Sequence, residues 1–258
     1  MPNYPIPNAS NDLQNQVALV TGATSGLGWR FAQVLAKAGA QVAIAGRRED
    51  RLESLKKLIE KDGGTAHCVR ADMMQEASII QMIESTEQAL GPVTILVNNA
   101  GIADGQLATK IDIETIDQLL GVNVRAPFIV AREVAKRLIK DKQPGRIINI
   151  SSIAAFNYLG AGAALYSTSK AAVARMTETL AVEWGRFNIN VNAIAPGFFK
   201  SEMSDGMQEK VGEFWHDFPR ARVCDPALLD STLLYLCSPA SEAVTGTTIK
   251  IDDAQMPR

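Results

Sequence analysis

From residue 16 the chain alternates short β-branched and aliphatic runs with longer amphipathic stretches: QVALVTG, SGLGWRFAQVLAKAG, QVAIAG, REDRLESLKKLIEKDGG and TAHCVRAD. This rhythm predicts β-α-β-α-β. It continues with a helix over about 75–90, the strand VTILVNN at 93–99, helices over about 113–140 and the strand GRIINISS at 145–152. A helix over about 164–186, the strand INVNAIAP at 189–196 and a last strand in GTTIKIDDAQ complete the series. Strands separated by long helices imply right-handed crossovers and a parallel sheet covered on both faces. The expected class is α/β, a doubly wound parallel sheet of about seven strands with helices on both faces.

The runs at 17–20 and 93–97 are almost uninterruptedly apolar, which places them at the sheet centre. No linker or repeat breaks residues 15–258, so they read as a single domain preceded by a polar arm over 1–14. One segment departs from the rhythm. GFFKSEMSDGMQEKVGEFWHDFPRARVCDP follows the strand ending at Ala195, and such insertions at the carboxyl ends of parallel strands serve as lids, here over about 197–225.

Composition narrows the classes. With 47% hydrophobic and 21% charged residues the chain is neither disordered nor fibrous. Lys+Arg 26 against Asp+Glu 28, with no dense basic run, excludes a nucleic-acid partner. Three cysteines without CxxC spacing and two histidines, His67 and His216, assemble no metal site. The opening MPNYPIPNASNDLQNQ has no basic region followed by an apolar one, so neither a signal peptide nor a membrane span is expected and the cytoplasm is the default location.

The first strand runs into Thr21-Gly22-Ala23-Thr24-Ser25-Gly26-Leu27-Gly28 and then directly into a helix. Gly22 permits a tight turn, Gly26 lets a pyrophosphate approach the backbone, and Gly28 allows close helix-to-strand contact, with helix N–H groups facing the anion. Three glycines in such a turn also serve as a plain structural corner. The form TGxxxGxG resembles that of the classical short-chain dehydrogenase/reductase family, and the other marks of the family follow in order from about residue 16 to 253: Asn98-Asn99-Ala100-Gly101, Asn123 in GVNV, Ser152 in INISS, Tyr166 and Lys170 as YxxxK, and Pro196-Gly197.

The resemblance implies a Rossmann-type fold and a catalytic set of Asn123, Ser152, Tyr166 and Lys170. Residues i and i+4 share a helix face, so the Lys170 ammonium can sit beside the Tyr166 phenol and favour its ionised form. In carbonyl reduction that hydroxyl would stabilise the charge developing on oxygen and donate a proton. Ser152 would orient the carbonyl, the bland alternative being a helix or turn cap; Ser151 must point to the other face. In the family, the asparagine at position 123 bends its helix and holds a water that links Lys170 to solvent; a buried amide on a backbone carbonyl is the rival reading.

For the cofactor, the resemblance implicates Gly22, Thr24, Ser25, Gly26, Leu27 and Gly28, with Asn99, Gly101, Tyr166 and Lys170 along the cleft. Asp72 and Met73 would meet the adenine, and Pro196, Gly197, Phe199 and Ser201 the nicotinamide end. After the second strand the chain has Gly46, Arg47 and Arg48 where an acidic residue would select NAD, so NADP(H) is preferred and NAD(H) is the alternative. The two arginines read equally as solvated charges at a helix start.

Ser152, Tyr158, Met203, Met207 and Trp215 are the candidate substrate contacts, and the aromatic and Met content of the lid favours a small-molecule carbonyl or alcohol with a hydrophobic body. Ordinary packing is the rival reading of that wall. The resemblance further implies a homotetramer paired through helices at 123–140 and 164–186, with Ala171, Ala172 and Val173 at the close contact. The last strand departs from the family: Asp253-Ala254 replaces a glycine pair. The expected function is an NADP(H)-dependent oxidoreductase interconverting ketone or aldehyde and alcohol. A 3-oxoacyl-thioester reductase of the same family and a non-catalytic NADP(H)-sensing regulator are the alternatives.

Overall fold

The computed structural model describes residues 5–158 and 162–256, apart from the side chains at 207 and 209–211. Seven strands form one sheet: β1 (Val17–Thr21), β2 (Gln41–Gly46), β3 (Thr65–Arg70), β4 (Ile95–Asn98), β5 (Gly145–Ile150), β6 (Ile189–Pro196) and β7 (Thr248–Ile251). Their order is β3-β2-β1-β4-β5-β6-β7, and every pairing is parallel. The direction of winding reverses between β1 and β4, which opens a crevice at the carboxyl ends of those two strands.

Helices cover both faces because each strand alternates its buried side chains between them. Ala18 and Val20 of β1 face one core, shared with α1 (Gly26–Lys37), α2 (Glu49–Lys61) and α8 (Asp230–Cys237). Leu19 faces the other, shared with α3 (Glu76–Leu90), α5 (Ala126–Asp141) and α6 (Ala164–Trp184). Every residue of β1, β4 and β6 is buried; β1 and β4 are near-continuous apolar runs, while β6 buries Asn190 and Asn192 with their amides bonded to the Glu242 and Val244 carbonyls. The apolar spacing of α2, with Leu52, Leu55 and Ile59 inward, makes the stripe that docks it.

Three details depart from the sequence reading. Leu13 is wholly buried and its N–H bonds the Ala38 carbonyl at 2.8 Å, so the end of the polar arm belongs to the core. The helical stretch at 113–140 is not uniform: α4 (Ile113–Leu120) passes into α5 through a π-helical turn, Gly121–Arg125. Val173, expected at a helix contact between subunits, is buried in the chain's own core beside Met176 and Leu180. Its neighbour Ala171 is exposed.

The lid carries its own helix, α7 (Glu202–Val211), begun by a capping box between Ser201 and Ser204. No described helix is long and apolar enough to cross a membrane, and no described group of His, Cys, Asp and Glu could hold a metal ion.

Candidate active site

The crevice is floored by the glycine-rich turn. Gly22 and Gly26 adopt left-handed φ of 67° and 54°, and a Cβ on Gly28 would lie 2.3 Å from the Gly22 carbonyl oxygen. Only glycine lets helix α1 start this close to β1. That helix begins without a side-chain cap and without an acidic residue in its first turn, so its N–H groups and positive end face the crevice. Asn99 ties the turn to β4, its Nδ2 donating to the Thr21 and Gly22 carbonyls at 3.0 and 3.1 Å. From across the crevice the lid approaches this floor: a Cβ on Gly26 would stand 3.1 Å from the Cβ of Ser201. A cradle built of free helix N–H groups under a polar lid residue fits the pyrophosphate of a dinucleotide.

At the end of β2, Gly46 packs so tightly under Thr24 that a Cβ there would meet its methyl at 2.5 Å. Arg47 is exposed and makes no ion pair among the described residues. Arg48 instead forks onto Glu202 of the lid, with Nη1–Oε1 and Nη2–Oε2 distances of 3.1 and 3.0 Å, and also bonds Thr24 Oγ1 at 2.9 Å. This pair holds the Glu202 carboxyl below its ordinary range. Asp72 accepts from the Met74 N–H at 3.0 Å, and Met73 is buried.

Tyr166 and Lys170 share one face of α6 at the carboxyl end of β5. Lys170 is buried; its Nζ lies 5.7 Å from the centre of the Tyr166 ring and donates to the Ile150 carbonyl at 2.8 Å. Burial pulls the ammonium down to about 8. Burial also pushes the Tyr166 phenol above its ordinary value, partly opposed by a hydrogen bond with Ser152. The lowered phenol expected from the i, i+4 spacing is therefore not a property of the chain by itself. At neutral pH Tyr166 keeps its O–H, the state that donates a proton.

Ser152 serves both roles weighed for it: its Oγ accepts from the Ala154 N–H at 3.1 Å, capping a short 3₁₀ helix over Ile153–Ala155, and it bonds Tyr166. Ser151 points to the opposite face and donates to the Lys170 carbonyl at 2.8 Å.

Asn123 lies inside the π-turn and is buried. Its Oδ1 accepts from the Ile102 N–H at 2.9 Å, and its Nδ2 donates to the Ile102 carbonyl and Ser169 Oγ at 2.8 and 3.1 Å. The side chain thus takes the backbone-bridging role. It pins the loop after β4, where a Cβ on Gly101 would be 3.4 Å from both Asn123 Oδ1 and Lys170 Nζ.

The candidate substrate residues are more dispersed. Tyr158 is 61% exposed and Met203 46% exposed. Met207 lies on α7 with its side chain outside the described residues. Trp215 packs edge-on to Phe214 at 5.5 Å between ring centroids. Phe198, Phe214 and Phe218 pack together with ring centroids 4.8–6.0 Å apart, Phe198 stacked on Phe218 and Phe214 tilted or edge-on to both, so these rings form a small lid core. Pro196 ends β6, Gly197 donates its N–H to the Ile251 carbonyl, and Phe199 is buried. The sequence reading missed Glu202, whose proximity to Arg48 no spacing signals. It also missed Gln255, whose only cue is the altered glycine pair before it.

The family model for short chain dehydrogenases matches residues 16–212. The chain belongs to that family of oxidoreductases. It is 34% identical to the 3-oxoacyl-(acyl-carrier-protein) reductase FabG of Aquifex aeolicus over 93% of this chain and 97% of that protein. Among solved structures, a short-chain type dehydrogenase/reductase from Mycobacterium marinum superposes with a TM-score of 0.92 at 32% identity, covering 96% of this chain and 98% of that one. A Beutenbergia cavernae chain assigned as an NAD(P) dependent gluconate 5-dehydrogenase, with NADP bound at low occupancy, gives 0.88 at 31% identity, covering 95% and 98%.

Proposed function

We propose that the protein is an NADP(H)-dependent oxidoreductase that interconverts a ketone or aldehyde with an alcohol. The observation that carries this reading is the grouping of Ser152, Tyr166 and Lys170 at the carboxyl end of β5, across the crevice from an uncapped helix N-terminus in a glycine-rich turn. Gly22, Thr24, Ser25, Gly26, Leu27 and Gly28 would hold the pyrophosphate. Asn99, Gly101, Gly197, Phe199 and Ser201 would line the nicotinamide end, with Asp72 and Met73 at the adenine. Gly46 in place of an acid at the end of β2, together with Arg47 and Arg48, favours a 2′-phosphate. When bound, the nicotinamide supplies or accepts the hydride.

The chain's own residues do the rest. The Ser152 and Tyr166 hydroxyls are hydrogen-bonded to each other, so a carbonyl oxygen seated beside the pair would accept from both. Tyr166 gives its proton to that oxygen as charge builds on it, and takes the proton back in the alcohol-to-ketone direction. Lys170, its ammonium shielded from water and 5.7 Å from the ring, steadies the phenolate left behind. Asn123 keeps the loop after β4 against Lys170 through its two bonds to Ile102. The location is the cytoplasm and the assembly a homotetramer in this reading.

A 3-oxoacyl thioester as substrate is the second reading, supported by the similarity to the Aquifex reductase. Oxidation of NADPH and NADH followed at 340 nm against simple ketones, keto-esters, keto-acids and 3-oxoacyl thioesters tests both. Turnover confined to thioesters selects the second, and no turnover with any carbonyl removes the first.

A further inference from the structure

The four residues that follow β7, Asp252–Gln255, sit at the neck of the lid. The neck closes where Phe199 pairs with Cys224: the Cys224 N–H bonds the Phe198 carbonyl and the Lys200 N–H bonds the Cys224 carbonyl, both at 2.9 Å. Buried Gln255 grips both strands of this neck. Its Oε1 accepts from the Phe198 N–H at 2.7 Å, and its Nε2 donates to the Phe198 and Arg222 carbonyls at 3.3 and 3.4 Å. Only an amide can accept and donate in this way; a carboxylate would lack the donors and a thioether nearly all of the bonding.

Two residues earlier, Asp253 pairs with the departing end of the lid. It meets Arg222 Nε at 2.7 Å and Arg220 Nη1 at 2.9 Å, and its side chain is only 11% exposed. To present that carboxylate the backbone holds Asp253 and Ala254 at φ of 51° and 62°, a left-handed turn at which the family has a glycine pair. The turn is kept and a charge is added that the glycine pair could not supply.

We propose that Asp253 and Gln255 are positioning residues which clamp the neck of the lid and so set Phe199 and Ser201 at their working height above the glycine-rich turn. The link is short. Gln255 grips Phe198 and Arg222, Phe199 follows Phe198 directly, and Ser201, two further on, already stands against Gly26. This role rests on the dinucleotide-binding reading given above. A displacement of the neck by about 1 Å moves the lid contacts off the coenzyme, and misplacements of that size cost up to about a hundredfold in enzyme function.

The test uses the full chain with NADPH as the probe. Asp253→Gly removes the carboxylate and its two ion pairs while relieving the left-handed backbone, two effects that offset in overall stability. Gln255→Met keeps the volume and deletes the grip on Phe198 and Arg222. In hydrogen exchange on the ligand-free protein, both variants should expose the amides of 198–211 and 220–224 at least tenfold while α1 and β1 keep their protection. In fluorescence titration, NADPH affinity should fall about tenfold at an unchanged melting temperature for Asp253→Gly. The clamp is overturned if Asp253→Gly leaves lid exchange and NADPH affinity as in the parent, or if Gln255→Met loosens all elements equally. If the parent itself fails to bind NADPH, the coenzyme reading falls, while the exchange result still reports on the grip.

Discussion

Lys170 Nζ donates to the Ile150 carbonyl at 2.8 Å and stands 5.7 Å from the centre of the Tyr166 ring, so a buried ammonium and a phenol share one end of β5. Because burial lowers Lys170 from 10.5 to about 8, the unfolded chain holds this proton more tightly than the folded one between those values. Stability from this group therefore rises as pH climbs from about 8 toward 10.5. Lys170→Met should remove that slope. Chemical denaturation at pH 7 and pH 9.5 should show the parent gaining on the variant by about 2 kcal/mol. A difference independent of pH would contradict the burial argument.

Arg48 is paired in a fork with Glu202 of the lid. A 2′-phosphate reaching Arg48 must displace or repel that carboxylate, whereas NADH makes no such demand. Glu202→Gln should strengthen NADPH binding about two- to fivefold and leave NADH within about 1.5-fold, since an exposed pair is worth about 1 kcal/mol or less. Equal changes for the two coenzymes would show that Arg48 does not meet the phosphate.

Ala254 pays for its left-handed φ of 62° with a Cβ that contributes little, being exposed. Ala254→Gly should raise stability by about 0.5–1 kcal/mol, read as a higher melting temperature. A lower one would show that the turn is held without strain.

Gly28→Ala is expected to fail in the opposite sense. The added methyl would meet the Gly22 carbonyl at 2.3 Å and Asn99 Nδ2 at 2.4 Å, atoms fixed between β1 and β4. Binding of NADPH should fall by at least about a hundredfold, with a loss of about 1–3 kcal/mol in stability, as overpacking of a closed site costs. Near-normal affinity would mean that helix α1 can retreat from the strand.

How far the chain could be read in advance follows from the range of each interaction. The parallel sheet, its two-sided covering and the central place of β1 and β4 were legible because such apolar runs are buried only between two layers of helices, whereas the order of the outer strands was not. Tyr166, Lys170, Ser152 and the glycines stand within motifs whose spacing is itself the signal. The phenol's direction of titration was not legible, since it depends on how deeply α6 packs rather than on the i, i+4 interval. Nor was the π-turn at Asn123, which turns on the amide reaching Ile102 across 21 positions. Arg48 and Glu202 are 154 positions apart and Gln255 and Phe198 57, and neither pair leaves a local pattern. Leu13 was hidden in a polar stretch because one buried side chain does not make a period.

The most direct test compares the parent with Tyr166→Phe, which deletes one hydroxyl beside Ser152 and keeps the ring that fills the site. NADPH-dependent carbonyl turnover at pH 7 should fall by about 10²–10⁴-fold, while NADPH affinity from fluorescence titration stays within about threefold. Turnover retained by the variant on a carbonyl that the parent reduces would contradict the assignment of Tyr166 as the proton donor.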